Sequence, residues 1–479
     1  MIVRITALAG LLLIVAIAFG GYTVANPEPA EVVVNPATTY QTMKGWEATA
    51  RLWETNKEED RYDASWLDFR DQIFDRLVNE LGIDRVRLEL KSGAENPVDY
   101  WTKFEKGEIG YKEFRRHYYE KINDNDSPDL INPAGFQFSA LDYQVEQIIL
   151  PLKKRVEANG ERLFINLNYV DFSQTSEKST LSHALNPEEY AELIYAAFVH
   201  LKEKYNLIPD ALEIVLEPDN TDQWRGKQIG EAAVAAVRRL KAAGFSPEII
   251  APSTAAAQAA SSYFDDLTSV AGASALISTL SYHRYGLWAS NALPAILERA
   301  QKLGISTAML EHLTGDGEQL YDDLTRANVS AWQQYAIATR TVAGRSDKDG
   351  YYYVVEFKDS AAPLLRMTKR TRSLAQYFRY VRLGAQRIDA QANRSELKPV
   401  AFRNRDGTYV VVVQAANAGI FTVRGLPPGK YYIRYTTDQE IGRELPPVMG
   451  DGNAISAQLP AAGTVTFYQK ASFAHDGHE

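Results

Sequence analysis

From about residue 41 to residue 384 the chain alternates short apolar runs with longer amphipathic stretches. The runs at 44–52, 84–90, 163–169, 211–216, 248–252, 276–282, 306–310 and 351–357 are rich in strand-forming residues, and most are continuous rather than alternating. That is how strands covered on both faces read. The stretches at 66–81, 142–158, 187–205, 226–243, 292–303 and 332–342 carry helical spacing. Asn186-Pro187-Glu188-Glu189 supplies an N-cap, a first-turn proline and early acids. Leu81-Gly82, Ala243-Gly244 and Leu303-Gly304 place a glycine where a helix end needs a left-handed residue. Eight strands alternating with helices predict an α/β chain with a parallel sheet, and eight is the number that closes a (β/α)8 TIM barrel. An open doubly wound sheet competes, but no GxGxxG or phosphate-loop pattern follows an early strand.

After Gly384 short strands take over, at 397–403, 409–415, 419–423, 430–436 and 464–469, with turns at Arg405-Asp406-Gly407 and Pro427-Pro428-Gly429. They predict a small C-terminal antiparallel β-sandwich over 385–470, after a barrel over 41–384 and before a tail at 471–479. A strand at 31–35, within residues 26–40, is expected to join that sandwich. Between the second strand and the helix near Asp142 lie roughly fifty residues, far above the usual 2–6 of such connections, carrying Tyr100, Trp101, Phe104, Tyr111, Tyr118 and Tyr119. Loops after strands lie on the catalytic face of a barrel, so these aromatics form either a stacking wall for a ligand or a helical insertion packed on itself.

At the N-terminus Arg4 precedes the apolar run from Ala7 to Phe19, then Gly20-Gly21 and Thr23-Val24-Ala25. Residues 1–25 therefore read as a secretory signal cleaved after Ala25, or as an uncleaved anchor, the run from Ile5 to Ala25 approaching the ~20 residues that span a bilayer. Either route exports the chain, to the periplasm or beyond, with membrane attachment through this segment only. The 479 residues are 45% hydrophobic and 24% charged, enough to bury a large core. A net charge of −9 disfavours nucleic acid as a partner, and the absence of cysteine excludes disulfides and thiolate chemistry. His183, His283 and His312 lack metal-ligand spacing, so no metal is expected, and no GxSxG elbow supports a serine nucleophile. The Arg238-Arg239 and Lys369-Arg370-Thr371-Arg372 clusters read as solvated helix faces.

The candidate chemistry sits at two strand ends. In Glu213-Ile214-Val215-Leu216-Glu217-Pro218-Asp219-Asn220 a carboxylate follows an apolar strand and precedes a proline, which stops the strand. Ala308-Met309-Leu310-Glu311-His312 repeats the arrangement. Glu217 then ends the fourth strand and Glu311 the seventh, facing each other across the barrel mouth. Glycosidic cleavage needs such a pair, one acid at the leaving oxygen and one carboxylate at the anomeric carbon.

The layout resembles clan A glycoside hydrolases, and most closely family 30, over the whole exported chain. Val32-Val33-Val34-Asn35 leading to Tyr40-Gln41-Thr42-Met43-Lys44-Gly45-Trp46 is similar to that family's opening. Tyr377-Phe378-Arg379-Tyr380-Val381-Arg382-Leu383-Gly384-Ala385 is similar to its crossing from last helix to sandwich. The resemblance implies Glu217 as acid/base, Glu311 as nucleophile, Arg87 holding the nucleophile ionised, and His283 and Tyr285 orienting the nucleophile or a sugar hydroxyl. Trp46 and Glu47, at the first strand's end, either line the deepest sugar subsite or pack the rim. Asp219 either binds a polar substituent or caps the following turn. Two positions depart from the family pattern. Leu216 stands where the family has asparagine, and Val355-Glu356-Phe357 lacks the usual eighth-strand tryptophan. Glu356 is a third rim carboxylate there, or a partner for Lys358 or Arg366. The expected function is a retaining glycosidase acting on an extracytoplasmic oligo- or polysaccharide without a cofactor. The alternative is a catalytically impaired carbohydrate-binding or envelope-assembly protein on the same barrel, and a transglycosylase would use the same residues.

Overall fold

The computed structural model describes residues 30–53, 55–56, 61–173, 179–342, 350–358 and 361–470. The expected signal or anchor at 1–25 and the tail at 471–479 lie outside them. No helix among the described residues is long and apolar enough to cross a membrane.

Eight parallel strands close a barrel: Gly45–Thr49, Arg85–Lys91, Phe164–Val170, Ala211–Glu213, Glu248–Ala256, Ile277–Tyr285, Ser306–Glu311 and Val329–Val342. Closure is made by the eighth strand, which pairs in parallel with the seventh on one side and the first on the other. Seven of the eight fall where the apolar runs place them. The eighth does not. The stretch at 332–342, expected to be a helix, belongs to the fourteen-residue strand Val329–Val342. Tyr351–Lys358, expected as the eighth strand, adds to the outside of it and pairs antiparallel with Ala361–Met367. Alanine and glutamine in Ala331-Trp332-Gln333-Gln334-Tyr335-Ala336 favour a helix locally, but packing between two neighbouring strands overrides a propensity of a few tenths of a kcal/mol per residue.

The helices around the barrel end as predicted. Gly82 (φ 96°) and Gly304 (φ 66°) are left-handed, and a side chain at Gly82 would meet the Phe378 carbonyl at 2.5 Å. Helix Pro187–Tyr205 starts at the predicted place, but the Asn186 side chain donates to the Ser182 carbonyl instead of capping it.

The C-terminal unit is one nine-stranded sheet whose order begins with Arg443–Gly450 and ends with Ala454–Leu459. It curls over its own core: Phe421 and Phe467, far apart in strand order, meet edge to face at 5.9 Å. The early strand Ala30–Thr42 pairs antiparallel with Gln386–Ala392 and parallel with Gly419–Arg424, then leads into the first barrel strand.

Candidate active site

The second barrel strand, Arg85-Val86-Arg87-Leu88-Glu89-Leu90-Lys91, alternates. Val86, Leu88 and Leu90 enter the core shared with the surrounding helices, which turns Arg85, Arg87 and Glu89 to the barrel interior. Deepest, Arg85 pairs with Glu47, both fully buried, and lies over the Phe164 ring at 4.2 Å. One level up, Arg87 donates to Glu311 and, at 3.2 Å, to the Leu310 carbonyl. The Tyr285 hydroxyl donates to the other Glu311 oxygen at 3.0 Å.

Glu217 lies just past the fourth strand in a left-handed conformation (φ 48°, ψ 56°) that few residues other than glycine adopt. Its amide donates to the Ser253 carbonyl at 3.0 Å. Its carboxylate accepts from His283 Nδ1 at 2.8 Å and from Asn220 Nδ2 at 2.8 Å. An oxygen of Glu217, an oxygen of Glu311 and a nitrogen of His283 all lie within 4.8 Å of one another.

The charges around this trio decide their protonation. Burial opposes charge on Arg87, but Glu311, Glu213 and Glu89 outweigh it and raise its pKa further, so it is a permanent cation beside Glu311. Burial pushes Glu217 up, but the hydrogen bonds from His283 and Asn220 hold its carboxyl below the usual value. Burial likewise pushes His283 down, and the hydrogen bond to Glu217 with the charges of Glu311 and Glu217 raises it. Glu217 and His283 thus share a proton as a couple, as strongly interacting groups do. A metal at these three residues would have to sit against the Arg87 guanidinium, which already neutralises Glu311.

Above the trio opens a cavity of about 580 Å³. Six of its lining side chains are cationic (Arg51, Arg87, Lys91, Lys112, Arg115 and Arg116) against the three carboxylates Glu89, Glu217 and Glu311. Glu89 is burdened by burial, but Lys91, Arg51 and Arg87 bring it down to about 2. Tyr335, on the eighth strand, and Tyr118, Tyr119 and Phe172 supply the aromatic surface.

The predicted residues divide cleanly. Glu217, Glu311, Arg87, His283 and Tyr285 come together. Trp46 does not: it is fully buried, stacked on Phe378 at 4.3 Å, with its indole nitrogen donating to the Val381 carbonyl. Glu47 lies beneath the site on Arg85. Residues on a strand alternate faces, and Trp46 took the helix side. Asp219 accepts from the amides of Ala255 and Ala256 at 2.6 and 2.9 Å, so both of its oxygens are spent fastening the end of the fifth strand where helix Ala257–Ser269 begins. Glu356 pairs with Arg366 outside the cavity. Of the insertion's aromatics, Trp101, Tyr111 and Phe114 form a buried cluster with Phe104 and Tyr118 against it, while Tyr111, Tyr118 and Tyr119 also reach the cavity. The segment is thus a helical insertion packed on itself, with part of its aromatic surface turned to the cavity. Tyr335 and Asn220 were not singled out from the sequence. Tyr335 would have followed from a correct eighth strand, whereas nothing in the spacing distinguishes Asn220 from an ordinary turn residue.

Residues 384–467 match the family model of the glycosyl hydrolase family 30 beta sandwich domain. No curated protein sequence matches the chain. Among solved structures, the catalytic domain of the family 30 xylanase C from Talaromyces cellulolyticus is 16% identical, with a TM-score of 0.63 over 91% of this chain and 99% of that one. A family 30 endoxylanase from Clostridium papyrosolvens is 17% identical, with a TM-score of 0.63 over 92% and 100%. A conserved exported protein from Bacteroides fragilis is 13% identical, with a TM-score of 0.63 over 91% and 100%. The chain has the TIM barrel with attached β-sandwich that these proteins share.

Proposed function

We propose that this protein is a retaining glycoside hydrolase in which Glu311 is the nucleophile and Glu217 the acid/base. The observation that carries the reading is the approach of the two carboxylates to within 4.8 Å at opposite strand ends, under an open cavity. Retaining enzymes hold their carboxyl groups about 5–5.5 Å apart, inverting ones about 6.5–9.5 Å, to admit a water. Arg87 and Tyr285 hold Glu311 by both of its oxygens and aim it. Its carboxylate attacks the anomeric carbon, the glycosidic C–O bond breaks, and Glu217 gives the leaving oxygen the proton it shares with His283. In the second half Glu217 takes a proton from water, whose oxygen displaces Glu311 and releases the sugar.

Tyr335 would serve as the stacking platform that a tryptophan provides elsewhere. The excess of cations around the cavity favours a glycan carrying carboxylate or other anionic groups. Residues 1–25 and the likeness to an exported protein support an extracytoplasmic site of action. Leu216 at the cavity wall motivates the second reading, a sugar-binding protein with impaired chemistry.

The test is hydrolysis of a panel of neutral and anionic glycosides and polysaccharides by the purified protein beside its Glu217→Gln and Glu311→Ala variants. Glu217→Gln is expected to lose about 10²–10⁴-fold in rate, the usual contribution of a general acid–base group. Mass spectrometry of the quenched reaction should find a glycosyl adduct on the peptide containing Glu311. Sugar binding without turnover on any substrate would replace this reading with the second one.

A further inference from the structure

Away from the mouth, the long insertion brings carboxylates against helix Pro187–Tyr205. Glu95 and Asp124 come from the insertion, Glu189 from the helix, and one oxygen of each lies within 4.8 Å of the others. Glu192 follows Glu189 by three residues on the same helix face. Glu95 and Glu192 are fully buried and Glu189 is 8% exposed. The oxygens Glu95 Oε1, Asp124 Oδ1, Glu189 Oε2, both of Glu192 and Asn123 Oδ1 have no hydrogen-bond partner among the described residues. Arg239 stands 3.8 Å from Glu192 and donates to the Pro128 carbonyl.

So many orphaned acceptors in one place would cost about 1–3 kcal/mol each if nothing donated to them. The second oxygens show that the first are aimed rather than stray. Glu95 Oε2 meets His183 Nε2 at 2.7 Å. Asp124 Oδ2 accepts from the Asn132 amide at 2.6 Å and from Asn125 at 2.8 Å. Gly135 packs so tightly on Asp124 that an added Cβ would stand 2.2 Å from the Asp124 Cβ. Glu95 and Asp124 are thus each held by one oxygen while the other is left without a partner, as supporting contacts orient metal ligands.

We infer that Glu95, Asp124 and Glu189, backed by Glu192 and Asn123, form a calcium site that fastens the insertion to the barrel. The donor set is all oxygen, which selects hard cations. Calcium accepts six to eight such oxygens at about 2.3–2.6 Å in flexible geometry, whereas magnesium binds at about 2.0–2.1 Å in a near-ideal octahedron and retains several waters. The ion would steady the segment that carries Tyr118, Tyr119 and Arg115 to the cavity.

The experiment is calorimetric titration of calcium into the EDTA-treated, desalted protein, with thermal unfolding in calcium, in magnesium and in EDTA. One calcium per chain is expected, with a Tm rise of about 3 °C at a hundredfold excess over Kd, and little response to magnesium. Calcium should also slow proteolysis between residues 95 and 135. The Asp124→Asn, Glu189→Gln double variant should lose the heat and the Tm response together. Absence of calcium heat with equal Tm in calcium and EDTA would overturn the site from the parent protein alone, even if the variant failed to fold. A double variant that folds and is stabilised by calcium as the parent is would overturn the ligand assignment.

Discussion

At the residue scale, His283 is the group whose titration the site should report. Glu217 lies below its ordinary pKa and His283 above its own, so the pair carries one proton that leaves only as pH rises through the raised histidine value. The form able to protonate a leaving group is present below that pH and lost above it. The alkaline limb of kcat/KM should therefore fall above about 6.5, the unperturbed histidine value. His283→Gln should move the limb to lower pH, since Glu217 must then hold the proton alone; a limb that stays put would remove His283 from the couple. Arg87 gives a second prediction. Replacing it with methionine leaves Glu311 without a cation, which for a buried pair costs about 3–5 kcal/mol, read as a lower Tm together with loss of turnover. Both residues were legible only through the family resemblance: Arg87 lies in mid-strand between Val86 and Leu88, and His283 two residues before its strand ends. Trp46 and Asp219 were misleading because position at the rim does not say which face of the strand a side chain takes, or whether a backbone amide already holds it.

At the element scale, the insertion after the second strand sets what enters the cavity. Its short helix Tyr111–Arg116 presents Lys112 and Arg115, and neither has an ion-pair partner among the described residues. Reversing both charges should raise KM for an anionic oligosaccharide by about tenfold and leave a neutral one nearly unchanged, since exposed charges act at up to about 1 kcal/mol each and are screened by salt. Equal effects on both substrates would argue against charge recognition. The insertion's length and aromatic content were readable, but its carboxylate cluster was not. Glu95, Asp124 and Glu189 are spread over nearly a hundred residues with no repeating interval, and only the fold brings them within 4.8 Å. The eighth strand failed for a related reason. A strand buried on both faces loses its period-2 signature, and Ala331 to Gln334 are all buried in Val329–Val342.

At the scale of the whole molecule, the sandwich is part of the barrel's own packing. Along strands Leu397–Arg403 and Tyr409–Ala415, Ala401, Val411 and Val413 face the sandwich core, while Val400, Phe402, Val410 and Val412 belong to the core of the barrel. That double duty is why Val410-Val411-Val412-Val413 is an unbroken apolar run in the sequence. The seam is also hydrogen-bonded. Gln376 on the last helix donates to Thr436 at 2.7 Å, Thr466 donates back to the Gln376 carbonyl at 2.7 Å, and Tyr380 lies 4.1 Å from Tyr468. The chain enters and leaves the barrel through the same sheet, with Met43 and the Gly384-Ala385 pair exchanging backbone hydrogen bonds at 2.8 Å. Two units joined this way should unfold as one. All seven tryptophans precede residue 333, so their fluorescence reports the barrel, and a label placed on an exposed sandwich residue such as Ile420 reports the other half. The two denaturant midpoints should coincide. Val412→Ala, which removes buried methyl groups from the barrel side of the seam, should shift both by the same amount, at a cost of about 2 kcal/mol. A sandwich signal that melts first, leaving tryptophan emission and turnover intact, would show instead that the barrel stands without its sheet.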